Sequence, residues 1–302
     1  MAILAVGSVA YDTVETPAER RERQLGGSAS YFALAAAPLA PVRVVGAVGD
    51  DFRPADLELM AARGADLGGI VRLPGPTFHW SGRYHADLIE RDTLATELGV
   101  FADFAPEIPP AWRDTPYLFL GNIHPALQAG VLAQLRRPRL VVTDTMNFWI
   151  QGARQDLEVV LAGTDVLLVN DSEARLLSGR WGLAEAAAVI RALGPARVVV
   201  KKGEHGALYF GPEGVLAVPA LLLPRVVDPT GAGDAFAGGF LGSLAAAGAD
   251  AGMGDALFRR AMLDGTVTAS FCPEGFSVEG LLRADAPARR QRLESLLAMM
   301  RP

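Results

Sequence analysis

DPTGAGDAFAGG, residues 228–239, gathers four glycines, two aspartates and a proline into twelve positions. It runs directly into FLGSLAAAG (240–248), apolar and alanine-rich enough to be a buried helix, so the glycines stand at a helix start. The first N–H groups of a helix are unpaired and its dipole adds partial positive charge, which makes an anion such as phosphate a natural ligand there. Asp234 falls in the first turn, beside that anion site. A carboxylate in such a place needs a task, and taking a proton from an attacking hydroxyl is one. The plainer reading is a glycine-rich turn with Asp234 as an ordinary first-turn acid, and the residues alone leave both open. Neither standard nucleotide fingerprint is met, because Phe236 stands where G-x-G-x-x-G needs its third glycine and no G-x-x-x-x-G-K-[ST] occurs.

Outward from this stretch, short apolar runs recur: Ile3 to Val6, Val42 to Val45, Tyr117 to Leu120, Leu140 to Thr143, Val166 to Val169 and Val198 to Lys201. They are apolar almost throughout, as strands buried on both faces are. Alanine- and leucine-rich segments of helical length lie between most of them, and this alternation predicts a mostly parallel sheet with helices on both sides. Gly206 to Phe210 and Val215 to Val218, around GPEG, read as a hairpin, and the last twenty residues as a capping helix. Two stretches break the rhythm, approximately 13–24 and 74–104, the second with polar–apolar alternation in TFHWSGRYHADLIE. We read them as a small β lid on one edge of a single domain spanning 1–302. Two copies pairing through an exposed lid edge, and an edge covered by charges, both stay open.

The chain is half apolar and carries a net charge of −6, without basic tails. That argues against a nucleic-acid or anionic-membrane surface. No stretch approaches the length of a spanning helix, and MAILAVGSVAYD reads as a first buried strand because it lacks a basic start. The one cysteine, Cys272, cannot form an internal disulfide and fits a reducing, cytoplasmic setting, although it serves equally as a small buried apolar residue.

DPTGAGDAFAGGF resembles the C-terminal signature of the ribokinase-like, or PfkB, family of carbohydrate and nucleoside kinases. GSVAYD (7–12) is similar to that family's first-strand motif, LGGSASYFALAA (25–36) to its Gly-Gly signature, VGAVGDDF (45–52) to its Gly-x-x-Gly-x-Asp segment and NDSE (170–173) to its Asn-x-x-Glu motif. The resemblance implies a three-layer α/β/α sandwich and an ATP- and Mg²⁺-dependent transfer of a phosphoryl group to an alcohol. It implies Asp234 as the base, with Gly231, Ala232 and Gly233 as the anion hole. Asp12 would hold substrate hydroxyls, with Gly26 and Gly27 letting the chain pass close to the substrate. Asn170 and Glu173 would organise Mg²⁺ and phosphates, Glu173 through water. Read without the other motifs, NDSE is a helix N-cap with an acid three residues on. Lys202, more than Lys201, would reach the nucleotide phosphates ahead of Gly203, against the reading of a solvated lysine pair. Asp228, Thr230 and the loop with Gly275 (SFCPEGFS, 270–277) resemble the region where relatives hold a monovalent cation such as K⁺ and the nucleotide base.

The pattern departs at Tyr31, where many sugar kinases of this family carry an asparagine that contacts the sugar. A ring there disfavours simple ribose or fructose and favours a different polyol, such as an inositol, or a nucleoside, unless Tyr31 packs in the core. DTMNFW (144–149) lacks the arginine some hexose kinases have, which disfavours a phosphorylated sugar. A metal site from His79 and His85 lacks ligand spacing. The competing functions are a non-catalytic ligand-binding or regulatory protein with the same pocket, disfavoured by an intact GAGD, and a nicotinamide-dependent oxidoreductase, disfavoured because GSVAYD lacks the dinucleotide fingerprint.

Overall fold

The computed structural model describes residues 1–301. The chain starts with β1 (Ile3–Val6), β2 (Ala10–Glu15) and β3 (Arg20–Gly26), then α1 (Ser28–Ala36), β4 (Val42–Val48), α2 (Pro54–Ala62) and β5 (Ala65–Arg72). Next come β6 (His79–Tyr84), β7 (Arg91–Glu97), β8 (Tyr117–Leu120), α3 (Pro125–Gln134), β9 (Leu140–Asp144), α4 (Asn147–Gly152) and α5 (Arg154–Ala162). The remainder runs β10 (Val166–Asn170), α6 (Asp171–Ser178), α7 (Leu183–Arg191), β11 (Arg197–Lys201), β12 (Ala207–Gly211) and β13 (Gly214–Val218). Four helices close the fold: α8 (Ala232–Ala247), α9 (Asp255–Ala269), α10 (Glu279–Leu282) and α11 (Ala286–Met299).

Nine strands form one sheet in the order β13-β12-β11-β10-β9-β8-β1-β4-β5, parallel except at the β12–β13 end. Successive residues of a strand point to opposite faces, so a strand covered on both sides must be apolar throughout. In β1, Ile3 and Ala5 pack with Phe32 of α1 and Phe240 of α8, whereas Leu4 and Val6 pack with Val131 of α3 and Val160 of α5. Helices thus lie on both sides, giving three layers. Each fully buried aliphatic side chain contributes about 1.5–3 kcal/mol.

Strand β5, ADLGGIVR, is not among the apolar runs read from the sequence, being interrupted by Gly68 and Gly69. Those glycines are a packing device: a Cβ at Gly69 would lie 2.7 Å from the Val44 carbonyl and 2.8 Å from the Trp112 ring. A second sheet, β3-β2-β6-β7, stands apart from the first. It takes in residues 10–26, and from the 74–104 stretch only His79–Glu97 brings strands to it. Beyond Glu97 the chain returns to the main body, where Val100, Phe101 and Phe104 are buried with Leu118 and Ile123.

Two features fix the elements that matter later. Helices α1 and α8 run side by side in the same direction, with glycines of α8 facing α1. A Cβ at Gly231 would strike the Tyr31 ring at 2.4 Å, one at Gly238 the Ala35 Cβ at 2.6 Å and one at Gly242 the Leu39 side chain at 2.8 Å. At the far edge, Arg197 and Asp255 form a fully buried pair at 3.3 Å. Asp255 also accepts from Tyr209 Oη at 2.7 Å and the Glu213 amide at 2.9 Å, while Arg197 donates to the Ala251 and Met253 carbonyls, so both charges are satisfied as burial requires. Among the described residues no helix is long and apolar enough to cross a membrane.

Candidate active site

Strands β9, β10 and β11 end side by side in Asp144, Asn170 and Lys201. The carboxyl ends of a parallel sheet are where the backbone turns away and leaves a crevice for ligands. Over this crevice lies the start of α8. Gly231 is its N-cap with φ +78, a conformation that costs an L-residue about 1–2 kcal/mol, and the Tyr31 ring occupies the space a side chain there would need. The exposed amides of the 231–233 turn and the helix dipole make an anion cradle. Lys201 Nζ comes within 3.2 Å of where a Cβ on Gly233 would be, and bonds Asp144 Oδ2 at 2.5 Å.

It is therefore Lys201 that faces the cradle, whereas the sequence reading favoured Lys202 for the nucleotide phosphates. Lys201 is the last residue of β11 and points toward α8. Gly203, at φ +55, has open space around it, and Gly275 packs on Glu279 and Gly280 in its own turn. The NDSE segment is a complete capping box: the Glu173 amide donates to Asn170 Oδ1 at 2.8 Å and the Asn170 amide to Glu173 Oε2 at 2.7 Å. Capping is what carries the buried Glu173 carboxylate into the same charged cluster, where Lys201 and Asp144 are its nearest ionised neighbours.

On the other flank Asp12, buried in β2, fills the space beside Gly26, where any side chain would overlap its carboxylate. Gly27 adopts φ +92 against the Ser8 carbonyl. Ser8 and Ser28 clasp this turn to the end of β1, with the Ser28 amide donating to Ser8 Oγ at 3.0 Å and the Ser8 amide to Ser28 Oγ at 3.2 Å. Tyr31 lies buried over Gly231, and its hydroxyl is without a protein partner, in an environment shared with Asp12, Cys272, Asp228 and Tyr84. The ring is thus not open for a flat ligand. Asp228 shapes the cradle: its oxygens accept from the Thr230 amide at 2.9 Å and the Ser277 amide at 3.4 Å. Cys272 Sγ donates to the Thr230 carbonyl at 3.1 Å, so this cysteine serves packing and loop geometry.

The second sheet reaches this cluster through two residues the sequence did not single out for the site. Tyr84 Oη lies 3.1 Å from Thr230 Oγ1, and Arg91 Nη1 donates to Tyr84 Oη at 3.5 Å with its guanidinium over the Trp80 ring. Lys201 and Arg91 are the cations facing Asp12, Asp144, Glu173, Asp228 and Asp234. Loss of water upon burial dominates the electrostatics. It pushes Asp12 up to about 7, helped by Asp228 and Asp234; Glu173 up to about 7, with Lys201 opposing; and Asp234 up to about 7, with Asp144 adding and Lys201 and Arg91 opposing. Burial works against the Lys201 ammonium, yet Asp144 and Glu173 outweigh it and raise that group. His79 and His85 are engaged elsewhere, His79 between Thr13 Oγ1 and Glu97, and His85 with Asp92. Asp144 and Arg91 were missed; a carboxylate closing the apolar run LVVTD was the available signal for the first, and a lone arginine carries no such signal.

Comparison with known proteins gives the same direction. Residues 138–271 match the model of the pfkB family of carbohydrate kinases. The cytidine kinase of Thermococcus kodakarensis is 31% identical over 246 residues, covering 79% of this chain and 87% of that protein. Among solved structures, the aminoimidazole riboside kinase from Salmonella enterica, complexed with aminoimidazole riboside and an ATP analogue, is similar with a TM-score of 0.74 at 20% identity over 98% of this chain and 100% of that one. The Burkholderia thailandensis nucleoside kinase in complex with inosine is similar with a TM-score of 0.73 at 23% identity, over 98% of this chain and 97% of that one. At these identities the two structures speak to the fold, which is ribokinase-like.

Proposed function

We propose a function from one premise: this chain belongs to the pfkB family of carbohydrate kinases and is a phosphotransferase that uses a hydroxyl group as acceptor. The reaction is transfer of the γ-phosphoryl group of ATP to a hydroxyl of a nucleoside. The extent of similarity to a cytidine kinase supports a nucleoside over an inositol or a simple sugar. A bound ATP analogue in a protein of the same fold supports the donor.

The observation that carries the reading is Asp234, a half-buried carboxylate with an affinity for protons near neutrality, in the first turn of α8 beside the anion cradle. A base poised near the working pH takes the acceptor's proton as the new P–O bond forms, and the 231–233 amides and Lys201 stabilise the charge on the transferred group. Asp12 holds acceptor hydroxyls against Gly26. Arg91, brought by the second sheet acting as a lid, balances the carboxylates and phosphates while the lid excludes water. Five carboxylates against two cations leave the site short of positive charge, which a divalent cation would supply. Among the described residues no three carboxylate, imidazole or thiol groups converge to cage an ion. Glu173 would hold a magnesium ion through water, and the ion would supply neutralisation of the phosphate charge. Asp228, with both oxygens on backbone amides, is fitted to shaping the loop over holding a monovalent cation.

The test is ADP release from ATP and Mg²⁺ with nucleosides, inositols, pentoses and hexoses as acceptors, with Asp234→Asn in parallel. Nucleoside-dependent turnover abolished by the substitution is the expected result. Turnover that survives the substitution would remove the base assignment, and turnover with sugars or inositols alone would remove the nucleoside.

A further inference from the structure

We infer that Arg23 is a positioning residue: it clamps the strand that carries Asp12 from behind and so fixes where that carboxylate meets the acceptor. The inference rests on the reading of Asp12 above, as the holder of acceptor hydroxyls, and adds to it what sets its place.

Strands β2 and β3 fall out of step just beyond Asp12. Asp12 stands opposite Gln24, but Val14 stands opposite Arg21, so Thr13 alone faces Glu22 and Arg23. Such a β-bulge leaves a residue unpaired in the ladder and bends the strand, and next to a site it re-aims a side chain. Arg23 takes the strained place in it, with φ +47, a left-handed conformation that favours glycine and that an arginine keeps only where its surroundings hold it.

What holds it is its own side chain. The guanidinium pairs with Asp51 of the main body and lies over the Tyr11 ring, 4.9 Å from the centroid. Asp51 is itself fixed, its Oδ1 accepting from the Thr77 amide at 2.7 Å and the Thr77 hydroxyl at 2.6 Å. The Arg23 amide donates to Thr13 Oγ1 at 3.1 Å. Arg23 thereby grips both neighbours of Asp12, Tyr11 by its ring and Thr13 by its hydroxyl. Side chains alternate along a strand, so these two point to one side of β2 and Asp12 to the other, toward Asp228 and Asp234. Tyr11 gives the clamp a rigid floor. It is buried, stacked on Phe52 with centroids 5.1 Å apart, and its Oη donates to Asp56 at 3.0 Å and accepts from the Arg53 amide at 2.8 Å. Asp12 lies against Gly26 and the Gly27 amide, which bring no side chain to hold it, so its place is set through the backbone that Arg23 braces.

The experiment compares Arg23→Gly, Arg23→Lys and Asp12→Asn with the wild type, by steady-state kinetics and a thermal melt of each. KM is read for ATP and for the most active acceptor among nucleosides, inositols, pentoses and hexoses. Glycine removes the clamp together with the unfavourable conformation, so Tm should fall by no more than about 2 °C. The acceptor KM of the same variant should rise about tenfold, with kcat falling less than about threefold and the KM for ATP unchanged. Lysine keeps a charge opposite Asp51 and should hold the acceptor KM within about threefold of the wild type, while Asp12→Asn should raise it at least as much as glycine does. An unchanged acceptor KM in Arg23→Gly, beside a raised one in Asp12→Asn, would overturn the positioning role and leave the reading of Asp12 standing. A rise of both KM values with a larger fall in Tm would also overturn it, since that marks general loosening. An unchanged acceptor KM in Asp12→Asn, or no turnover of any acceptor by the wild type, would overturn both.

Discussion

Replacing Asp234 by asparagine should stabilise the ligand-free protein while disabling it. Burial holds the carboxyl near 7 against its ordinary 3.8. That is about three units at about 1.36 kcal/mol each, so ionising the group inside the fold costs about 4 kcal/mol at pH 8. Lys201 and Arg91 offset part of that cost, which leaves about 2–4 kcal/mol for the substitution to recover. At about 2.1 cal/mol/K per residue, unfolding 302 residues carries about 0.6 kcal/mol/K of entropy, and the gain becomes a Tm rise of about 3–6 °C. The sign depends on pH. A carboxyl raised in the fold binds its proton more tightly there than in the unfolded chain, so wild-type stability declines as pH climbs from about 4 to about 7 and levels off above. The advantage of asparagine must therefore be small near pH 4, under half its full value at pH 5 and complete at pH 8. Calorimetry or dye-based melting across pH 4–8 reads it directly, and kcat should fall by about 10²–10⁴ in the same preparation. A Tm at pH 8 equal to or below the wild type, or a gain independent of pH, would refute the desolvated-base argument.

Other outcomes follow from the same geometry. Tyr31→Phe removes a buried hydroxyl that lacks a protein partner, so ligand-free stability should hold or rise by about 1 kcal/mol in denaturant titration; a loss above about 1 kcal/mol would mean the hydroxyl has a partner. Arg197→Leu strands the buried Asp255 carboxylate and should cost about 3–5 kcal/mol in the same assay, with a loss below about 1 kcal/mol contradicting the pair's role. Arg91→Ala should lower kcat about tenfold or more while moving Tm by no more than about 2 °C, since the side chain is exposed; unchanged kcat would dismiss the lid's cationic contribution.

Much of the architecture was legible because strands buried on both faces have no polar positions to confuse the period, as in β1, β8 and β10. β5 was not, because its two glycines interrupt the apolar run, and the Trp112 ring that needs their space is distant in sequence. At the site, the glycine cradle and Asp234 were legible as one contiguous motif. The capping box was legible as a cap, yet only the neighbouring ends of β9 and β11 bring Glu173 to Asp144 and Lys201. Which of two adjacent lysines faces inward depends on where β11 ends, a single-residue matter that local pattern does not resolve. Arg91 and the Arg23–Asp51 pair depend wholly on tertiary placement.

The close glycine contact of α8 with α1 works as a gauge block. Each helix begins at one half of the reaction, α1 at the turn beside Asp12 and α8 at the phosphate cradle. With glycine at 238 and 242, the spacing of those two starts is set by the α8 main chain lying directly against the Phe32 carbonyl and the Ala35 and Leu39 side chains. The separation of the two substrates is thereby machined into the hydrophobic interior, some two turns from the chemistry. Phosphoryl transfer is sensitive to misplacements on the scale of an ångström. A methyl group inserted into that seam would therefore act as a shim, detuning the reaction while leaving every reacting group chemically intact.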